Sequence, residues 1–351
     1  MKNSTLGIIT VILLVLSIFS YRQSVTRAER FERGQKFLPQ LNPDAIAEIE
    51  ISKGDENIVL RRGEDNFSVA TKNGYPAKNE TVNRFLKDLL EISLEREVGR
   101  SESLQAELDL VEGQGEVATY LLKDNSGNTL VNFAVGKASE DGRGNFVRRL
   151  EGEDRMIHLT SRGVYLSTTE DSFLDKDLLD VKAEAISRIE GTGFVFAKGE
   201  DGQLSLQDIP DGKQANTEAN QVTSALSFLR FDKVYLADEP EVSGLNFAKR
   251  TRFSLDDQSG YVVSVAQKED KHYLRVEGTF EVSSIQVEEE ETEEDLQAKS
   301  EILRRGNEIA EFNEFHGSWV YEVTEITAKK FGHTKDSLIE DVEQEEAEEG
   351  E

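Results

Sequence analysis

The chain has 351 residues, of which 69 are Asp or Glu and 41 are Lys or Arg, so its formal net charge is −28. This balance disfavours nucleic-acid binding, because phosphate contacts need clustered Lys and Arg. The absence of cysteine excludes disulfides, thiolate metal sites and cysteine nucleophiles. The length suffices for two domains of ordinary size, each with its own core.

An uncharged apolar segment lies near the N-terminus, from Leu6 to Tyr21. As an α-helix that rises about 1.5 Å per residue, it would span roughly 24 Å, a little less than the about 30 Å of a bilayer core. A cleaved signal peptide is the alternative, but bulky Ile18 and basic Arg22 flank the candidate cleavage point. We therefore predict a membrane anchor at residues 1–22, which contacts the membrane through residues 6–21, and a stalk at residues 23–43.

The charges around this segment conflict about its orientation. The positive-inside rule would place the body of the protein in the cytoplasm, because more basic residues follow the segment than precede it. They are Lys2 before the segment and Arg22, Arg27, Arg30, Arg33 and Lys36 after it. Large domains that follow a first apolar segment are nevertheless commonly exported. The prediction is a single-pass protein of the inner (plasma) membrane, whose soluble part is periplasmic or otherwise extracytoplasmic.

A first α+β copy is predicted at residues 44–180. Alternation of apolar and polar residues predicts antiparallel strands, beginning with Ala47–Ser52. Asn79 is a candidate N-cap for a helix at Glu80–Leu94. The apolar stripe of that helix has the spacing of one buried face, and it consists of Val82, Phe85, Leu86, Leu89 and Leu90. Two shorter helical pieces are predicted after it, from Ser161 and at Phe173–Leu179.

Two stretches of the chain read as copies of each other, 140 positions apart. Asp44–Glu50 recurs as Glu184–Glu190. An apolar rail in the predicted helix recurs at the same offset, as Val82, Leu86 and Leu89 in the first copy and Val222, Leu226 and Leu229 in the second. Repeats of more than 100 residues are tandem domains and not solenoid units. The predicted fold class is therefore α+β, with two tandem copies of an antiparallel-sheet-plus-helix domain after an N-terminal transmembrane helix.

The second copy is predicted at residues 181–332, with its helix at Thr217–Leu229. It differs from the first mainly by an acidic and helical insertion at residues 279–315. The helix of this insertion is expected at Glu293–Phe315, with contacts through Leu296, Leu303 and Phe312. The insertion could be a partner-binding element or a solvated flap, and the flap is favoured. Residues 333–351 contain a run of acids without a base and are predicted to be a disordered acidic tail.

No residue is predicted to be catalytic, to bind a cofactor or to bind a metal. The four histidines have no metal-ligand spacing on a helix. His158 is expected to face solvent on a strand and His316 to lie in a loop, with structural or surface roles also for His272 and His333. Phosphate-binding loops and nucleophile elbows are also missing from the sequence. Trp319, the single tryptophan, is expected to pack in a strand.

The chain resembles a bacterial family known as domain of unknown function 4340. The resemblance is carried by the strand pattern Ile46-x-x-Ile49-x-Ile51, by Tyr75-Pro76-Ala77 before the first helix, by Phe133-Ala134-Val135-Gly136-Lys137 and by Gly144-Asn145-Phe146-Val147-Arg148. It extends from about Ile46 to Leu179, and more loosely into the second copy. What the resemblance implies is an envelope protein that accompanies ABC-type export and gliding systems, without catalytic residues or cofactors.

Two functions are compatible with these features. The first is a non-enzymatic, membrane-anchored accessory or interaction protein of the cell envelope, an auxiliary of an ABC transporter permease or of another envelope protein. The second is an extracytoplasmic ligand-binding module, with a small-molecule or glycan site between the two copies. A hydrolase is the weakest alternative, because no nucleophile and base are brought together by the sequence pattern.

Overall fold

The structure is a computed structural model that describes residues 13, 15–18, 33–64, 66–114, 117–152, 155–281 and 292–342. Its contacts divide the chain into two compact units, Met1–Asp175 and Lys176–Glu351. The boundary predicted from the sequence was 180/181. Each unit combines antiparallel sheet with helices, and the predicted α+β class is therefore confirmed.

The predicted membrane anchor lies mostly outside the described residues, of which residues 13 and 15–18 are helical. Among the residues that the structure describes, no helix has the length and apolar character needed to cross a membrane.

From residue 33 onward, the described part of the first unit contains nine strands and two α-helices. The strands are β1 (Glu48–Lys53), β2 (Glu56–Arg62), β3 (Phe67–Val69), β4 (Tyr75–Pro76), β5 (Leu94–Gly99), β6 (Ala118–Lys123), β7 (Thr129–Ala138), β8 (Asn145–Arg149) and β9 (Ile157–Thr160). The helices are α1 (Asn79–Glu91) and α2 (Glu102–Glu107). All nine strands form one sheet in the order β4-β3-β2-β1-β6-β7-β8-β9-β5.

Strand β1 lies inside this sheet because its two edges pair with β2 and β6. Ile49 lies opposite Leu60 on β2 and Leu122 on β6, and all three side chains are buried. Helix α1 covers one face of the sheet, where the ring of Phe85 lies 5.9 Å from that of Tyr120. The alternation of polar and apolar residues that predicted this strand therefore separates its solvent face from its core face.

Several local predictions for the first unit are wrong. Helix α1 ends at Glu91, and not at Leu94, because Ile92 is extended and Leu94 begins β5, which pairs with β9. Asn79 is the first helical residue and not the N-cap, since Lys78 occupies that position without a side-chain cap. The helices predicted from Ser161 and at Phe173–Leu179 are also absent from the described chain. In their place stand irregular backbone, a 3₁₀ turn at Glu170–Ser172 and the strand Asp177–Leu179.

The predicted stalk is wrong for residues 33–43, which pack on the first unit. Phe37 and Leu38 are buried, and the ring of Phe37 contacts Phe133 edge-on at 5.6 Å. The backbone N–H of Gly34 donates to the carbonyl of Leu94, so this segment pairs with the start of β5. Two apolar side chains thus hold the chain onto the sheet where a solvated stalk was expected.

The residues described in the second unit form twelve strands and three α-helices. The strands are β10 (Asp177–Leu179), β11 (Ile186–Gly191), β12 (Phe194–Lys198), β13 (Leu204–Leu206), β14 (Lys213–Ala215), β15 (Leu229–Arg230), β16 (Lys233–Leu236), β17 (Lys249–Leu255), β18 (Ser259–Lys268), β19 (Lys271–Phe280), β20 (Trp319–Val323) and β21 (Ile339–Asp341). The helices are α3 (Thr217–Thr223), α4 (Glu293–His316) and α5 (Glu325–Lys329).

The main sheet of the second unit has the order β13-β12-β11-β17-β18-β19-β20-β16. Strand β11 takes the inner position, between β12 and β17. Two small sheets complete the unit, one formed by β10 with β15 and one by β14 with β21. Trp319 is buried on β20, as the sequence predicted.

Two predictions for the second unit are corrected. Helix α3 ends at Thr223, before the predicted end at Leu229, because the following turns lead Leu229 into β15. The tail predicted at residues 333–351 is ordered as far as residue 342. Leu338 is fully buried there, and β21 pairs with β14. One apolar side chain and a strand partner outweigh the local acidity, while residues 343–351 lie outside the described chain.

The inserted helix α4 packs on the β18–β19 hairpin. Its expected contacts through Leu296 and Leu303 are wrong, because both side chains are exposed. The ring of Phe312 does contact Tyr261, at 5.3 Å, and Ile309 is buried. Close packing is possible because Gly278 on β19 has no side chain: a Cβ there would lie 3.0 Å from Cγ2 of Ile309. The described C-terminal half of the insertion is therefore part of the core and not a solvated flap.

The side chain of Asn313 on α4 makes the hydrogen bonds that a neighbouring strand would make to part of β19. Strand β20 pairs with β19 only at His272–Leu274. Further along β19, the N–H of Gly278 donates to Oδ1 of Asn313 at 2.6 Å, and Nδ2 of Asn313 donates to the carbonyl of Gly278 at 2.8 Å. This side-chain amide satisfies both polar groups of a buried backbone position.

We expect Asn313→Ala to lower the free energy of unfolding of the second unit by about 1–3 kcal/mol, because it leaves both groups of Gly278 without this partner. Asn307→Ala is the matched control, since Asn307 is exposed on the same helix and the gain in helix propensity is the same. Urea unfolding followed by the fluorescence of Trp319, the single tryptophan, measures both variants. Equal stability of the two variants would contradict this role of Asn313.

Candidate functional site

The second unit contains an open cleft of about 1070 Å³. One wall is formed by α3 and the other by α5, and the floor is formed by the end of β18 and the start of β19. The lining residues are Glu218, Gln221, Asn246, Ala248, Lys249, Val265, Ala266, Gln267, Asp270, His272, Glu325, Ile326, Ala328, Lys329, Gly332, His333 and Ser337. Most of these side chains are polar, and seven of them can carry charge.

Local capping fixes the two walls of the cleft. The side chain of Asn216 accepts hydrogen bonds from the N–H groups of Glu218 and Ala219, which starts α3. Thr324 accepts from the N–H of Thr327 and starts α5 in the same way. These caps use the free N–H groups of a first helical turn. They set the directions in which Glu218 and Glu325 leave their helices.

His333 occupies the centre of the polar groups in the cleft. Its side chain is only 10% exposed, its Nδ1 lies 3.1 Å from Oγ of Ser337, and the same Nδ1 lies 3.6 Å from Oε2 of Glu218. Its Nε2 is buried and has no hydrogen-bond partner in the described part of the chain. Burial lowers the pKa of His333; the positive charge of Lys249 also lowers it, whereas the carboxylate of Glu218 raises it. The imidazole is therefore mainly neutral at pH 7.

Ser337, His333 and Glu218 resemble a hydrolase triad in composition but not in geometry. A triad needs the serine at one ring nitrogen and the carboxylate at the other, and here both groups face Nδ1. The Ser337 hydroxyl also donates to the carbonyl of Thr334 at 2.8 Å and accepts from the N–H of Thr334, as part of a capping box. Because its single proton is used there, His333 donates from Nδ1 to Ser337. This set of side chains stabilises a turn.

Some charged groups of the cleft form ion pairs with each other, and others do not. Glu325 and Lys329 form an ion pair at 2.8 Å, which lowers the pKa of Glu325 and raises that of Lys329. Among the described residues, Lys249 has no carboxylate within ion-pair distance. Glu218 has one partner within that distance in the same part of the chain, the imidazole of His333. Gly332 packs against the side chain of Lys249, where a Cβ would be 3.7 Å from Nζ. Lys249 itself is exposed.

The four histidines are separated in the fold. His272 and His333 line the cleft, whereas His158 on β9 is half-buried, so its predicted solvent-facing position is wrong. His316 is the last residue of α4 and not a loop residue. In the described chain, no group of three or more His, Cys, Asp or Glu side chains could hold a metal ion.

Sequence reasoning did not find this cleft. Its central pair joins Glu218 to His333, which are remote along the chain, and neither residue belongs to a local motif. The capping pattern Asn216-Thr217-Glu218 was a usable signal for the start of α3. No sequence pattern placed that helix beside α5.

His316 makes the stability of the second unit depend on pH. Its Nδ1 lies 2.6 Å from the hydroxyl of Tyr321, its ring packs 4.1 Å from that of Phe312, and burial lowers its pKa to about 4. A folded-state pKa below the unfolded value means that the unfolded chain binds the proton more readily. The stabilisation is therefore complete above the model-peptide value of 6.5 and is lost as the pH falls towards 4.

We expect the loss of stability between pH 7 and pH 4.5 to be about 2 kcal/mol larger in the natural protein than in His316→Gln. The fluorescence of Trp319, in the same unit, reports urea unfolding at each pH. Both proteins contain the same carboxylates, so the contribution of the carboxylates cancels in the comparison. The substitution His272→Gln, at a histidine without this burial, is the control. Equal pH dependence in the natural protein and His316→Gln would contradict the assignment.

One family model matches the chain, over residues 68–247, which is about half of its length. The matched region begins in β3 and ends after β16, so it includes parts of both units. No curated protein and no solved structure matches the chain. The resemblance predicted from the sequence is thus confirmed: the chain belongs to the family described as domain of unknown function (DUF4340).

Proposed function

We propose that this chain is a non-enzymatic, membrane-anchored accessory protein of the bacterial cell envelope. Residues 6–21 would tether it, and its two α+β units would contact a transporter permease or another envelope protein. The observation that carries the proposal is the geometry at His333, where a serine and a carboxylate share one ring nitrogen and serve a turn. The side chains that resemble a catalytic triad thus stabilise a turn of the fold.

Exposed aromatic and aliphatic side chains support a contact role. Tyr165 is 85% exposed, Phe228 is 78% exposed and Ile326 is 73% exposed. Phe228 has a left-handed backbone with φ of 51°, and Asp180 holds this conformation by accepting from its N–H. A bulky residue in that region of φ is strained, and such strain is found more often at functional positions than elsewhere.

The two units are also proposed to be copies of one ancestral domain. The strand orders of their main sheets correspond. The strands of the second unit that take the places of β1, β2, β3, β6, β7, β8, β9 and β5 are, in that order, β11, β12, β13, β17, β18, β19, β20 and β16. A 3₁₀ turn precedes the first strand of each sheet, at Pro43–Ala45 and at Ala183–Ala185. Duplication would give the protein two related contact surfaces.

Ligand binding is the second candidate function. The cleft of about 1070 Å³ in the second unit supports it, because sites for small molecules are concave and contain a few convergent polar groups. The site predicted from the sequence was placed between the two copies, whereas this cleft is built from the second unit alone.

Site-specific crosslinking tests the accessory function. A photoreactive phenylalanine at position 228 or 165 of the full chain in native membranes is expected to crosslink to an integral-membrane protein, identified by mass spectrometry. The matched control is the same probe at Lys137, a polar exposed position. Absence of a membrane-protein adduct at both aromatic positions, or equal adducts at the control position, would contradict the proposal.

A further inference from the structure

We propose that the cleft of the second unit binds a zwitterionic ligand, an amino acid or a short peptide. Its carboxylate would lie at Lys249 and its ammonium group at Glu218. This inference rests on the second candidate function, that the cleft binds a ligand, and it names the chemical class.

Lys249 supplies a cation with open space next to it. The chain has many more acids than bases, yet none of the described carboxylates lies within ion-pair distance of this ammonium. Lys249 is exposed and belongs to the lining of the cleft. A ligand carboxylate can therefore approach Nζ from the cleft and form a charge-assisted hydrogen bond.

Glu218 supplies an anion that has no Lys or Arg within ion-pair distance in the described chain, with Lys329 acting on it from farther away. Its side chain is 49% exposed, and its close charged neighbour is the imidazole of His333 at 3.6 Å. That ring is mainly neutral at pH 7, because burial lowers its pKa. A neutral imidazole can donate one hydrogen bond but cannot cancel a carboxylate charge. An ammonium group is the natural partner for Glu218.

The two charges border neighbouring residues of the cleft: Lys249 lies against Gly332, and Glu218 lies 3.6 Å from Nδ1 of His333. Besides burial, which lowers the pKa of His333, Glu218 raises this pKa and Lys249 lowers it. Lys329 forms an ion pair with Glu325 at 2.8 Å, and its attraction to Glu218 acts over a longer distance. The site therefore presents separate opposite charges a short distance apart. That arrangement is complementary to a zwitterion and not to a ligand with one charge sign.

The rest of the cleft suits a peptide better than a sugar. Gln221, Asn246 and Gln267 provide amide donors and acceptors for peptide groups. Apart from the imidazoles of His272 and His333, no aromatic ring belongs to the described lining, so the stacking surface typical of sugar sites is lacking. The volume, about 1070 Å³, exceeds a single amino acid and accommodates a short peptide.

The experiment is titration calorimetry of the full-length protein in detergent with trialanine, with free alanine and with N-acetyl-trialanine amide, which lacks both charges. We expect trialanine to bind, free alanine to bind more weakly and the capped peptide to bind at least about tenfold more weakly than trialanine. Lys249→Gln and Glu218→Gln should each weaken trialanine binding by about tenfold or more, whereas Lys137→Gln in the first unit should not change it. An unchanged urea unfolding transition, followed by the fluorescence of Trp319, shows that each variant is folded.

A second readout separates charge recognition from general polarity. Bound trialanine places its ammonium at Glu218, which lies 3.6 Å from Nδ1 of His333 and acts on the ring more strongly than Lys249 does. The pKa of His333 measured by NMR should therefore fall in the natural protein and stay unchanged in Glu218→Gln. Maltotriose is the fourth probe. If the capped peptide or maltotriose binds as tightly as trialanine, the zwitterion assignment is overturned, although the cleft remains a ligand site. Absence of binding by all four probes at millimolar concentration would overturn the ligand-binding function itself.

Discussion

The centre of each main sheet depends on a pairing between strands that are far apart in the chain. In the first unit β1 pairs with β6, and a side-chain bond between Lys123 and Glu48 spans 75 positions. In the second unit β11 pairs with β17 in the equivalent place. Closing a loop of this length costs conformational entropy, which the burial of Ile49 and Leu122, or of Ile189 and Phe253, offsets. The hairpins β1–β2, β6–β7 and β17–β18 then add by short connections, whereas β5 and β16 join the sheets through the remote strands β9 and β20.

The same pairing positions the cleft. Once β17 lies beside β11, the hairpin β18–β19 and strand β20 follow in order, and α5 begins directly after β20. Helix α3 enters from the other half of the unit, so Glu218 and His333 meet although no local pattern relates them. A site built in this way needs the whole unit to be folded. Its polar groups are held by helix caps and by the β14–β21 pair, and not by flexible loops.

Local patterns predicted the strands of the central hairpins but not the short strands whose partners are remote in the chain. Alternation around Ile49 and Ile51, and the turn at Asp124–Gly127, identify β1 and the β6–β7 hairpin because these signals lie within a few residues. Strands β5 and β16 were missed, since the polar residues of Leu94–Gly99 hide a strand whose pairing with β9 is tertiary. Leu338 shows the same limit: its acidic surroundings indicate a tail, and only the buried environment around it makes the segment ordered.

Hydrogen–deuterium exchange on the full chain measures the central claim directly. The amides of β1 and β6 in the first unit, and of β11 and β17 in the second, should be among the slowest to exchange, while those of the outer strands β3 and β13 exchange faster. Peptides that cover residues 48–53, 118–123, 186–191 and 249–255 report the four central strands. Exchange in these peptides as fast as in the outer strands would show that the sheets are not organised around the long-range pairings.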